Sequence, residues 1–239
     1  MPYILSPPIT SKMPGMWMEG TPYEKEELYS IQPGKLPPVN YDKHILKSHS
    51  LTHAEAQLHV VENGHGIDHY FKNPGYYFGR TIVVRLPGNN YKEVATGNGI
   101  YHWEVSKQEL EENLNRVLAI VGGECTKLIL TSQFYPLNEE GFHDPNYVLT
   151  LSVEAAQYLI GLEGFNLYGT SWKSSDFKPG SPDRPIHKIL LEKAAIFELL
   201  DLKNVPEGEY FFVGFPLRIQ GASESPACPA LFTKEETKF

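Results

Sequence analysis

The segment RTIVVRL, from Arg80 to Leu86, is a β-branched run closed by Pro87 and Gly88, and it predicts a strand. Downstream, SKQELEENLNRVLAIV offers Ser106 as an N-cap with Glu109 three residues on. Leu110, Leu114, Val117, Leu118 and Val121 follow at helical spacing, so this stretch predicts a helix. TKLILTS has the continuous apolar character of a buried strand. SVEAAQYLIGLEG predicts a second helix, opened by Ser152 and ended near Gly161 or Gly164, and FNLYGTS a further strand. PIHKILLEKAAIFELLDL carries helical periodicity at first sight, and GEYFFVGFPLRI reads as a strand. Strands alternating with helices indicate an α/β fold with parallel pairing in its sheet. There is no internal repeat.

The first forty residues break this alternation. Pro2, Pro7, Pro8, Pro14, Pro22, Pro33, Pro37 and Pro38 remove backbone donors and forbid long helices. The expected organisation is therefore a proline-rich N-terminal arm, 1–40, followed by one domain, 41–239. Tyr3, Ile4, Leu5, Met16, Trp17 and Met18 make the arm apolar enough to pack against the domain or across a partner subunit.

A formal net charge of −8, with no run of basic residues longer than a pair, argues against nucleic acid and anionic membrane surfaces as partners. Cys125 and Cys228 are too few for a disulfide framework or a cysteine zinc site. The chain shows neither a secretory signal pattern nor a membrane-spanning apolar run, and a cytoplasmic location is expected.

The strongest chemical signal lies in HSLTHAEAQLH, where His49, His53 and His59 stand with Glu55 in eleven residues of a chain that holds nine histidines in 239. Composition alone gives about 0.4 histidine for such a window. Imidazole nitrogens with a carboxylate oxygen suit Zn²⁺ or Mn²⁺. His53 and Glu55 would share a strand face, whereas His49 and His53 would share a helix face, so no single regular element serves all four. Fully extended, the run would span about 33 Å at roughly 3.3 Å per residue, far beyond a metal's reach. If a metal sits here, the segment must curl as a loop.

HSLTHAEAQLH resembles H-x-G-T-H-x-D-x-P-x-H, the mark of the metal-dependent cyclase and kynurenine formamidase family. His49, Thr52, His53 and His59 match, while Leu51, Glu55 and Gln57 replace Gly, Asp and Pro. LSVEAAQYLIGLEGFNLYGTSWKSSD is similar to the family's helix-strand stretch ending in G-x-D-x-x-S-x-D. Gly169, Ser174 and Asp176 match, and Ser171 stands where Asp is usual. The C-terminal portion resembles the family's second group of metal ligands, with His187 and Glu198 in their places. A continuous helix would put these two about 16 Å apart at 1.5 Å per residue. The helix must therefore stop near Lys193 or Ala194 and AIFEL must return as a strand.

The resemblance implies a single-domain swivelling β/α/β sandwich and a homodimer or homotetramer. It also implies one or two Zn²⁺ or Mn²⁺ ions held by His49, His53, Glu55, His187 and Glu198. His59 would be the catalytic residue, general base toward water and general acid toward the leaving nitrogen. The implied reaction on a small-molecule substrate is hydrolysis of an amide or related C–N bond, in an aryl formamide such as N-formylkynurenine or in an isatin-type lactam. A non-hydrolytic cyclase or dehydratase, and a metal-binding member that has lost hydrolysis, stay open because of the four departures from the motif. His65, His69, His102 and His143 are expected to be ordinary polar loop or strand residues, and the aromatics of DHYFKNPGYYFG plain core.

Overall fold

Four strands that read as buried runs form the centre of the sheet in the computed structural model, which describes residues 1–17, 19–95, 99–177 and 183–238. In chain order the strands are β1 (Tyr3–Ile4), β2 (Tyr23–Tyr29), β3 (Tyr41–Leu46), β4 (His53–Glu55), β5 (Phe78–Leu86), β6 (Lys92–Glu93) and β7 (Tyr101–Val105). They continue as β8 (Lys127–Ser132), β9 (Tyr147–Leu151), β10 (Leu167–Thr170), β11 (Ala195–Glu198), β12 (Gly208–Val213), β13 (Glu224–Pro226) and β14 (Ala230–Phe232). The helices are α1 (Ile67–Tyr70), α2 (Lys107–Val121), α3 (Val153–Gly161) and α4 (Pro185–Leu190).

Nine strands make one mixed sheet, in the order β1-β14-β12-β5-β8-β10-β11-β4-β13. Its middle, β5-β8-β10-β11, is parallel, and both flanks are antiparallel. Side chains alternate between two apolar layers. Ile82, Val84, Leu128, Leu130, Tyr168 and Ile196 face Leu110, Leu114, Ala155 and Leu159 of α2 and α3. Val83, Ile129, Leu167, Ala195 and Phe197 face the opposite way, onto Tyr77, Ala54, Phe212 and Leu231. Burial on both faces explains why these strands carry no polar alternation. This is the mixed α/β architecture that the alternating pattern predicted, with few helices.

Both long helices begin at the predicted caps: Ser106 Oγ accepts from Glu109 N and Ser152 Oγ from Ala155 N. The helix α2 ends at Gly122, whose positive φ of 75° suits glycine and whose N–H reaches Leu118 O at 2.8 Å. The stretch from Pro185 divides as expected, but α4 ends at Leu190, earlier than the expected stop near Lys193 or Ala194, and a turn leads to β11 at Ala195.

The proline-rich segment is not featureless. Tyr23–Tyr29 and Tyr41–Leu46 pair as an antiparallel hairpin across the boundary at residue 40, and Tyr3–Ile4 adds to the sheet beside β14. Among the described residues no helix is long and apolar enough to cross a membrane.

Candidate metal centre

The histidine-rich segment curls through two short 3₁₀ turns, Ser48–Ser50 and Gln57–His59, on either side of β4. β4 is buried between β11 and β13, with His53 opposite both Glu198 and Pro226 and Glu55 opposite both Ile196 and Glu224. Side chains two apart on a strand, and those directly opposite on its partner, share a face. His53, Glu55, Glu198 and Glu224 therefore project together, and the flanking turns fold His49 and His59 over them.

All six residues named from the sequence converge. Glu55 Oε1 lies 3.3 Å from His53 Nε2, 3.4 Å from His49 Nδ1 and 3.5 Å from His59 Nε2. Glu55 Oε2 lies 3.1 Å from His187 Nε2, which is also 3.3 Å from Glu198 Oε1. Two donor triads emerge, His49-Glu55-His59 and His53-Glu55-Glu198, each with its donor atoms within 4.8 Å of one another. Metal bonds of about 2.0–2.2 Å require such spacing. His59 thus falls inside the donor cluster, at the same range from Glu55 as His49.

The electrostatics suit a cation. Burial favours the neutral acid of Glu55, yet His187 and His53 hold its carboxyl well below the ordinary carboxylate range. Burial opposes charging of His187 and His53, but the facing carboxylates lift both imidazoles, His187 strongly. His59 is pushed down by burial. Glu55 Oε2, despite its nearness to His187, has no hydrogen bond of proper alignment, an orphaned buried carboxylate oxygen. Such an atom is costly unless something positive meets it. With nitrogen and oxygen donors around it, the residues present fit a divalent ion.

The structure gives roles to residues that the sequence reading left without one, and adds Ser175 and Glu224, which it did not name. Asp176 Oδ2 lies 2.6 Å from His187 Nδ1 and accepts from His187 N at 2.9 Å, while Oδ1 accepts from Ile186 N at 3.0 Å. Its place in the S-x-D motif was the available signal. Ser175 fixes Glu198 Oε1 through its N–H at 2.5 Å and its hydroxyl at 2.7 Å. Glu224 lies 3.6 Å from His49 Nε2, and that bond chiefly draws its carboxyl down to about 2. Thr52 donates to Leu199 O at 2.6 Å, pinning the left-handed residue that follows Glu198. Ser171, where the motif has Asp, donates its hydroxyl to Thr131 Oγ1 at 3.1 Å, and Leu51 is buried in place of Gly. A pocket of about 180 Å³ opens onto Glu55, Glu198, His49, His59 and His187, its lining completed by Trp17, Ser174 and Arg184.

His143 also departs from expectation: it is buried against Tyr135 and Trp172, and neither ring nitrogen has a well-aligned partner. Of the aromatics of DHYFKNPGYYFG, Tyr70 and Tyr77 are core as expected, whereas Phe71 and Tyr76 are only partly buried and Phe78 is exposed.

No family model matches the chain. It is similar to a kynurenine formamidase of Maricaulis maris, 26% identical over 212 residues that cover 88% of each chain. Among solved structures it is similar to isatin hydrolase A from Ralstonia solanacearum, with a TM-score of 0.71 at 17% identity over 98% of this chain and 92% of that one. A predicted metal-dependent hydrolase from Bacillus stearothermophilus aligns with a TM-score of 0.66 at 23% identity over 97% of both chains. The structural neighbours share the fold, and in its sequence the chain is similar to kynurenine formamidases.

Proposed function

We propose that the protein is a metal-dependent amidohydrolase that cleaves an amide or related C–N bond in a small aryl formamide or lactam. The observation that carries this reading is the buried Glu55 carboxylate, with one oxygen orphaned, set among His49, His53, His59, His187 and Glu198. The names of the similar proteins, kynurenine formamidase and isatin hydrolase, support the substrate class.

His49, His53, Glu55, His187 and Glu198 would hold one or two Zn²⁺ or Mn²⁺ ions, Glu55 being common to both donor triads. Bound there, such an ion supplies Lewis acidity, polarising a substrate carbonyl and bringing the pKa of water toward neutrality. Asp176 sets the ring of His187 and Ser175 sets Glu198, so both are preorganised. His59 Nε2 takes the proton of the attacking water and returns it to the leaving nitrogen. We also propose a homodimer or homotetramer, supported by exposed Leu28, Tyr29, Ile31, Leu36 and Tyr41 in and around the β2–β3 hairpin.

Elemental analysis of protein never exposed to an affinity metal column, followed by assay on N-formylkynurenine, isatin and simple aryl formamides, tests the reading. Less than about 0.2 metal per chain after Zn²⁺ or Mn²⁺ supplementation would overturn it, because such ligand sets bind tightly.

A further inference from the structure

Two residues at the mouth of the pocket have no part in the chemistry above. Trp17 reaches it from the N-terminal segment, which is tied to the histidine-rich loop. Met16 N donates to Ser50 Oγ at 2.8 Å, Trp17 N donates to Glu19 Oε2 at 2.7 Å, and Ser50 donates to the other Glu19 oxygen. Arg184 reaches it from the turn before α4, with φ 46° and ψ 53°, a left-handed conformation that disfavours a long side chain. Asp176 holds that turn through Ile186 N and His187 N. A strained residue held by its surroundings beside a reactive centre is a place to look for a role.

The Arg184 guanidinium donates to Ser174 Oγ at 3.1 Å and its Cζ lies 5.7 Å from the centre of the Trp17 ring. Lys173 Nζ lies 4.8 Å from the same ring and donates to Met16 O at 3.2 Å. Among the described residues neither cation forms an ion pair with a carboxylate, whereas Arg80 and Arg116 each do. The pocket is therefore polarised, with carboxylates and imidazoles at its floor and, at its rim, an indole and a guanidinium that has no carboxylate partner among the described residues. A guanidinium offers five donors in a planar fork that matches a carboxylate, and among the described residues the Arg184 side chain has one acceptor, Ser174 Oγ.

We propose that Arg184, with Trp17 beside it, determines substrate specificity by receiving a carboxylate on the aryl half of the amide, so that acidic aryl amides are taken over neutral ones. This rests on the amidohydrolase reading. Arg184 binds and orients; it takes no part in bond cleavage. Lys173 adds positive field behind the indole.

The test compares kcat/KM for N-formylanthranilate and for formanilide, an acidic and a neutral aryl formamide, with the metal-supplemented full chain. The wild type favours the acidic substrate. Arg184→Asn, a side chain that tolerates the left-handed conformation, lowers the acidic-to-neutral ratio by about ten- to a hundredfold, the usual worth of a charged hydrogen bond. The loss falls mainly on KM, and Arg184→Lys retains more of the ratio than Arg184→Asn. A ratio unchanged in Arg184→Asn overturns the proposal. Equal loss on both substrates together with lost metal also overturns it, assigning Arg184 to holding α4 and His187. Equilibrium binding of anthranilate, followed by tryptophan fluorescence, separates the two readings. Arg184-dependent binding without hydrolysis of either substrate sinks the hydrolase reading and sustains the carboxylate site. Hydrolysis of both substrates with anthranilate binding equally to wild type and variant does the reverse.

Discussion

Asp176 grips His187 at two points, its Oδ2 accepting from the backbone N–H at 2.9 Å and lying 2.6 Å from ring Nδ1. The Nδ1 proton is thereby committed to Asp176, which leaves Nε2, facing Glu55 and Glu198, as the atom that would ligate a metal on the proposed reading. Asp176→Asn should weaken metal affinity by about 10- to 100-fold, the usual effect of removing a ligand's outer partner. Competition against a chelator measures it, and unchanged affinity would mean that His187 needs no such hold.

His59 and His53 should separate in their effects. We expect His59→Asn to keep its metal and lower kcat by about 10²- to 10⁴-fold, the usual share of acid-base catalysis. His53→Asn, buried in β4, should lose metal and activity together. The 3.5 Å from His59 to Glu55 makes the comparison decisive. If both variants lose metal alike, His59 is a ligand and the division of roles is wrong.

Glu55 sits on a strand paired on both sides, which leaves little room for its backbone to follow a shortened side chain. Glu55→Asp should therefore change metal stoichiometry or affinity, because the carboxylate can no longer reach both donor triads. Unaltered metal content and rate in that variant would show that the extra methylene carries no meaning.

The buried ring of His143 gives a pH signature away from the donor cluster. Burial pushes its imidazole down to about 3, with help from the Lys173 charge and weak opposition from the Tyr147 backbone. A depressed folded-state pKa means a contribution to stability that is complete above the unfolded value, near pH 6.5, and is lost as pH falls toward the folded one. Denaturant unfolding from pH 6.5 down to 4 should show His143→Phe losing less stability than wild type, by up to about 1.4 kcal/mol per pH unit. Parallel curves would exclude His143 as a contributor to acid lability.

Gly169 matches the motif for a steric reason. A Cβ there would stand 2.9 Å from both Ile129 Cγ1 and Leu200 Cδ1. Gly169→Ala should cost about 1–3 kcal/mol by overpacking. Thermal or denaturant unfolding checks the figure, and a neutral result would show that Ile129 and Leu200 give way freely.

What the sequence made legible were features stated locally. Ser106 and Ser152 announce their helices through caps three residues long in reach, and the apolar runs of β5, β8, β10 and β11 declare burial on both faces. The six residues that the structure brings together could be named because spacing and side-chain chemistry resembled a motif. The β2–β3 hairpin was not, since YEKEELY is exposed almost throughout and has no apolar face to betray it. Neither was β4, whose histidine and glutamate are buried for their chemistry, against the usual polarity rule. Trp17, Arg184 and Glu224 join the pocket region only through tertiary structure, and nothing near them in sequence marks them.

The bond from Thr52 to Leu199, between residues 147 positions apart, ties the first half of the donor set to the second. Pairing of β4 with β11 joins distant parts of the chain and is a high-contact-order event. A chain emerging from synthesis therefore presents its histidine-rich loop long before His187 and Glu198 exist to meet it. Early in biogenesis the loop would therefore hold only part of the proposed donor set. On the proposed reading, only the closing of the sheet's far edge completes the donor set, so metal capture at full strength would report that the last third of the polypeptide has folded.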